Sequence, residues 1–132
     1  MTISMQGKRG LIMGVANERS IAWGIAKAMA EAGAELAFTY QGEAFGKRLE
    51  PLAASVGSDF MVDVDVTDEA SMDAAFTALG ERWDTIDFVV HAIAYSDKNE
   101  LTGRISDTSV ENFKNSMVIS CYSLIDVSKR AM

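Results

Sequence analysis

Gly14, Ser20 and Gly24 frame the stretch GVANERSIAWG, in which a glycine closes a short apolar run and a serine opens an amphipathic one. Those residue types suit the capture of a diphosphate. Gly14 lets the backbone approach a pyrophosphate, the Ser20 hydroxyl and the amides of Ser20 and Ile21 face it from a helix N-terminus, and Gly24 lets that helix pack closely on a sheet. The two glycines stand ten residues apart, without the G-x-G-x-x-G spacing of the ordinary dinucleotide fingerprint. Taken alone, the stretch reads equally as a plain capped helix after a long loop. Two other groups invite chemistry. Asp63, Asp65 and Asp68 suggest a hard-cation site, but alternation along a strand points 63 and 65 one way and leaves 68 at a helix start, so no metal is expected. His91 is the only histidine and invites a general-base role. It lies within an apolar run, where a lone imidazole needs one partner to be satisfied, and we read it as structural.

The elements that must position these residues alternate between short apolar runs and longer amphipathic ones. A strand at 10–13 leads into a helix opened and capped by Ser20, with Ile21, Ile25 and Met29 at four-residue spacing and Gly33 ending it in a left-handed conformation. ELAFTY (35–40) is a second strand, 43–54 a helix, and Gly57 marks the next turn. The strand FMVDV (60–64) leads into a helix with Met72, Phe76 and Leu79 buried and with Asp68 and Glu69 at its positive end. IDFVVHA (86–92) is a fourth strand. A polar loop then runs to about 109, followed by one long helix toward 132 with Phe113, Met117, Leu124 and Val127 inward. Strand-helix units with nearly all-apolar strands predict an α/β fold, a doubly wound parallel sheet of Rossmann type. Ligands bind such sheets beyond the carboxyl ends of the strands. The functional segments are therefore expected after Met13, Tyr40, Val64 and Ala92.

Composition narrows the classes. The chain has 132 residues, 48% hydrophobic and 23% charged with a single proline, which excludes disorder and low-complexity arrays. A net charge of -7 repels phosphate backbones and anionic lipid, so neither nucleic acid nor a membrane is an expected partner. No targeting or spanning segment is expected, because Lys27, Glu31 and Glu35 interrupt the apolar stretch 21–38. The lone Cys121 permits no internal disulfide, and a reducing cytoplasm is the expected location.

The segment 14–41, GVANERSIAWGIAKAMAEAGAELAFTYQ, closely resembles the corresponding stretch of bacterial NADH-dependent enoyl-acyl-carrier-protein reductases, divergent members of the short-chain dehydrogenase/reductase superfamily. The likeness continues through DVDV, VVHAIAYSDKNEL and MVISCYS and so covers essentially the whole chain. It implies NADH as cofactor, with Gly14, Ser20 and Ile21 at the phosphates, Gln41 beside the adenosine, and Asp65 and the Val66 amide on the adenine. Ala92, Ile93 and Ala94 would run along the ribose and nicotinamide, and Ser96 would touch the acyl substrate. Glu43, two residues after Gln41, would repel a 2′-phosphate, although Lys47 and Arg48 stand nearby. The HAIA turn at 91–94 and the SIA-type loop argue against a short-chain reductase acting on a carbonyl. A nonenzymatic receiver-like nucleotide module would want a lysine at a strand tip, and none stands there.

The same resemblance implies hydride transfer to the trans-2 double bond of an enoyl thioester in fatty-acid synthesis, with an acyl-carrier-protein-bound substrate and a homotetrameric assembly. It also implies a tyrosine donor followed seven positions later by a lysine. Tyr40 with Lys47, and Tyr122 with Lys129, have that spacing, but the first pair straddles the adenosine side and the second precedes any fifth strand. The catalytic pair is therefore expected beyond Met132. Residues 1–132 read as the NAD-binding N-terminal half of a single Rossmann unit, inactive by itself.

Overall fold

The computed structural model describes residues 3–132. Four parallel strands, β1 (Arg9–Met13), β2 (Glu35–Tyr40), β3 (Met61–Asp63) and β4 (Phe88–His91), form one sheet in the order β3-β2-β1-β4. In β1, Leu11 and Met13 point to one face of the sheet and Ile12 to the other, as period-2 geometry requires. Both faces are apolar, so both must be covered. Helices α1 (Ile21–Glu31) and α2 (Glu43–Ser55) cover the side carrying Ile12, Leu36 and Phe38. The opposite side, carrying Leu11, Met13 and Ala37, is covered by α3 (Glu69–Arg82), whose Met72, Ala75 and Leu79 are buried, and by Val127. This is the doubly wound arrangement expected.

Two glycines are required where elements meet. A Cβ on Gly10 would stand 2.1 Å from the Phe88 ring, so this small residue sets the packing of β1 against β4. Gly33, at φ +103°, ends α1 in the left-handed region, as its position predicts.

The face of α1 differs from expectation. Ile21 is 82% exposed, while Ala22, Trp23 and Ala26 are buried, with Trp23 tilted against Phe38 at 6.5 Å between ring centroids. Gly24 is exposed, and a Cβ there would meet open space, so it does not serve close packing on the sheet. The buried stripe lies about one residue, or 100°, round the helix from the predicted one.

The segment after β4 holds two short 3-10 turns, Lys98–Glu100 and Ile105–Asp107. The final helix is not uniform. It consists of α4 (Val110–Met117), a π-helical turn (Val118–Tyr122) and α5 (Ser123–Ala131). Ser123 and Val127 are buried, whereas Phe113, Met117 and Leu124, expected inward, are exposed together with Val118, Tyr122 and Ile125. Arg130 ties α5 to α3 through Asp73 at 2.9 Å and pairs with Asp126. Among the described residues, no helix is long and apolar enough to cross a membrane.

Among the described residues β4 pairs on one side only, with β1. Its other edge is open, and an unpaired strand edge invites association. Residues 1–132 expressed alone are expected to aggregate or form loose oligomers in light scattering, and a monodisperse, well-protected monomer would contradict this.

Candidate functional site

All four strand tips open into one groove of about 570 Å³. The first tip contributes Gly14, Val15 and Ala16, the second Tyr40 and Gln41, the third Asp65, Val66 and Thr67, and the fourth Ala92, Ile93, Ala94 and Tyr95. The order β3-β2-β1-β4 explains the convergence. The chain leaves β1 toward β2 on one side and later returns beside β1 with β4, so the connections diverge and leave a crevice between them. Seven of the nine residues expected at a cofactor, namely Gly14, Gln41, Asp65, Val66, Ala92, Ile93 and Ala94, line this groove.

At the first tip, Gly14 has φ +108°, and a Cβ on it would stand 2.0 Å from the Ala92 carbonyl oxygen. The glycine is needed here for the passage of β1 against the end of β4, whose Ala92 N–H bonds the Met13 carbonyl at 3.0 Å. Ser20 stands at the end of the loop but does not cap α1. Its hydroxyl turns back and accepts from the amides of Ala16 at 2.9 Å and Asn17 at 3.1 Å. An oxygen that accepts twice still has its own proton to donate outward. Among the described residues the Ile21 and Ala22 amides donate to nothing. The first turn of α1 carries no acidic residue, whereas the first turns of α2, α3 and α4 hold Glu43, Glu69 and Glu111. The α1 N-terminus thus keeps its partial positive charge available to an anion. Ser20 and exposed Ile21 stand beside the groove without lining it.

The three aspartates of the third tip have separate tasks. Asp63 accepts from the Gly42 amide at 3.1 Å, joining the second tip to the third. Asp68 caps α3, accepting from the amides of Ala70 and Ser71. One oxygen of Asp65 accepts from the amide of Thr67 at 2.9 Å and its hydroxyl at 2.6 Å, which leaves the other oxygen open to a donor in the groove. At the second tip Phe45 lines the groove, with the Arg48 guanidinium 5.6 Å above its ring, and Lys47 pairs with Glu43 at 2.8 Å.

The fourth tip is fastened to α4 and the π-turn. The Tyr95 amide donates to Ser120 Oγ at 2.9 Å and the Asp97 amide to Asn112 Oδ1 at 3.0 Å. Ser96 is half-buried, and its hydroxyl accepts from Asn112 Nδ2 at 3.0 Å, so it stands next to the groove rather than in its lining. Asn115 and Ile119 add a wall that sequence reasoning missed, because they belong to a helix not associated with a strand tip. Tyr40 lies at the second tip, and Tyr122 is 56% exposed outside the lining.

His91 finds its single partner in Ser123, with Nε2 2.7 Å from Oγ. Leaving either group buried and unpaired costs about 1–3 kcal/mol. Burial holds the imidazole below its ordinary value, so the folded state favours the neutral ring and the unfolded chain binds more protons. Stability should therefore fall as pH drops through about 6.5, the unfolded value, and level off below the lowered folded value. Urea unfolding across this range, compared with His91→Gln, checks it; equal slopes in the two proteins would contradict it.

A family profile described as Enoyl-(Acyl carrier protein) reductase matches residues 14–132. The curated NADH enoyl-acyl-carrier-protein reductase 2 of Rhizobium meliloti is 64% identical over 127 residues, covering 96% of this chain and 47% of the relative. The crystal structure of FabI from Candidatus Liberibacter asiaticus superposes with a TM-score of 0.96 at 58% identity, over 99% of this chain and 51% of that one. That of the enoyl-acyl-carrier-protein reductase from Anaplasma phagocytophilum, in complex with NAD, gives 0.93 at 53%, over 99% and 50%. The chain thus spans about half the length of the curated relatives it matches. With the motifs, the sheet order and the profile in agreement, the chain belongs to the enoyl-(acyl carrier protein) reductase family.

Proposed function

We propose that this chain forms the cofactor-binding portion of an enoyl-acyl-carrier-protein reductase of fatty-acid synthesis. The observation that carries the reading is the convergence of all four tips on one groove whose first wall is Gly14 pressed on Ala92. The residues fit a dinucleotide. Gly14 keeps the wall flat where a Cβ would collide, and the free amides of Ile21 and Ala22 and the outward Ser20 proton suit a pyrophosphate. The open oxygen of Asp65 and the Val66 amide suit the adenine edge, Gln41 the adenosine ribose, and the backbone of Ala92, Ile93 and Ala94 the nicotinamide half.

NADH supplies a hydride to the β-carbon of a trans-2-enoyl thioester when bound. This chain orients the acceptor and excludes water along the wall from Ile93 to Tyr95, and Ser96, next to that wall, is the residue assigned to the acyl group. The donor to the thioester oxygen is assigned beyond Met132 by the family resemblance: Tyr40 with Lys47 lies at the adenosine end, Tyr122 with Lys129 lies outside the groove lining, and Tyr95 has no lysine seven positions on. The exposed face of Phe113, Met117, Leu124 and Ile125 is covered in a homotetramer. Cytoplasmic residence follows from the same reading.

The full-length protein should oxidise NADH in the presence of a trans-2-enoyl thioester. Reduction of a ketoacyl thioester instead would move it to the carbonyl-reducing branch, and inertness toward both would favour a binding module. NADH should be preferred over NADPH in kcat/KM, because Glu43 flanks the second tip; an NADPH preference would refute that assignment. Gly14→Ala should weaken NADH binding by about tenfold or more, roughly 1.4 kcal/mol, measured by titration calorimetry. Unchanged affinity would count against the Gly14 wall.

A further inference from the structure

The final helix carries side chains to two neighbours, the fourth tip and the sheet. Asn112 must face the fourth tip to hold Ser96 and Asp97, and Val127, fully buried, must face the sheet. The π-turn between them adds a residue and rotates everything after it by about 100° relative to a continuous α-helix. At its end the Ser123 N–H bonds the Val118 carbonyl, five residues back. The Ile119 carbonyl, which an α-helix would give to that amide, is met by the Ser123 hydroxyl at 2.6 Å. Ser123 is 1% exposed, and the same hydroxyl lies 2.7 Å from His91 Nε2 on β4. A carbonyl only accepts, so the serine proton goes to Ile119 and the imidazole must donate from Nε2. His91 directly precedes Ala92 of the groove, and Ile119 lines the groove from the helix side. The next residue, Ser120, bonds the Tyr95 amide at 2.9 Å and lies 3.3 Å from its carbonyl. By comparison, Ser128 bonds the Leu124 carbonyl in the same backward fashion but is exposed and has no imidazole beside it.

We infer that Ser123, bridging His91 and the Ile119 carbonyl, is a positioning residue: it holds the π-turn in register and thereby fixes Ser120, Tyr95 and Ile119 at the substrate end of the groove. The inference rests on the enoyl reductase reading only for which ligand lies at that end. Neither Ser123 nor His91 touches a ligand in this role. The pair acts through the backbone of Tyr95 and the wall residue Ile119, so its effect should be local to that end and should spare the adenosine end.

The test uses the full-length protein and the variants Ser123→Ala, His91→Leu, His91→Gln and the Ser123→Ala/His91→Leu double. In Ser123→Ala, kcat/KM for the enoyl thioester should fall about tenfold, mostly through KM, while the dissociation constant for NADH changes less than about twofold. The double variant should be no worse than Ser123→Ala alone, because both singles break one bridge. His91→Gln, whose side-chain amide can donate to Ser123, should recover most of what His91→Leu loses. Equal losses in His91→Leu and His91→Gln, additive losses in the double, or unchanged kcat/KM in Ser123→Ala despite a lowered Tm would each overturn the proposal. The exchange rate of the Tyr95 amide is an independent readout. It should accelerate in Ser123→Ala and His91→Leu whether or not the wild type reduces an enoyl thioester, and an unchanged rate would overturn the positioning role even if Ser123→Ala folds poorly and His91→Leu alone is measured. A wild type inert toward the enoyl thioester but with accelerated Tyr95 exchange in the variants would refute the activity and leave the positioning role supported.

Discussion

Between the ends of β1 and β4 there is no room for a Cβ. Gly14 turns away at φ +108° with the Ala92 carbonyl filling the space a side chain would take, and the Ala92 N–H bonds Met13. This contact brings together the loop that enters α1 and the loop that leaves β4. It also requires the two strands to be parallel neighbours, which the order β3-β2-β1-β4 provides. Apolar burial on both faces makes the sheet; the Gly14 contact decides where it opens. Gly10 against the Phe88 ring repeats the same economy of space four residues earlier.

The groove is built without cationic side chains. Its only ionisable carboxylate is Asp65, and no lysine or arginine lines it. In a chain of net charge -7 the donors beside it are the unpartnered amides at the start of α1. The acid-free first turn of α1 leaves Ile21 and Ala22 with donors to give, and Ser20 uses its lone pairs to shape the loop, so that its proton stays free to be donated. Fixed dipoles of this kind are oriented before any ligand arrives.

Much of this was legible from residue order. The apolar strands, the alternation of elements and the position of the tips follow from period-2 and period-3.6 patterns, and seven of nine expected contacts line the groove. Where the reading failed, two physical causes account for it. Apolar periodicity cannot distinguish a side chain buried in the core from one left at the surface, and Ile21, Phe113, Met117 and Leu124, inward by pattern, are exposed. A π-turn has no marker in residue type, and its one-residue insertion shifts the phase of all that follows; Val127 is buried and Leu124 is not. A serine before a helix commonly caps it, whereas here the preceding loop claims the Ser20 hydroxyl. The partner of His91 lies 32 residues away on that same helix, beyond the reach of local pattern.

Four tips acting together as one dinucleotide groove fed by backbone donors should be protected together when the cofactor binds. Amide hydrogen exchange of the full-length protein with and without NADH tests it most directly. Slower exchange is expected at Ile21, Ala22, Val66, Ile93 and Ala94, with the open groove beside α2 and β3, lined by Glu43, Glu50 and Asp59, unaffected. Protection confined to that second groove, or absent from the α1 N-terminus while NADH is bound, would contradict it.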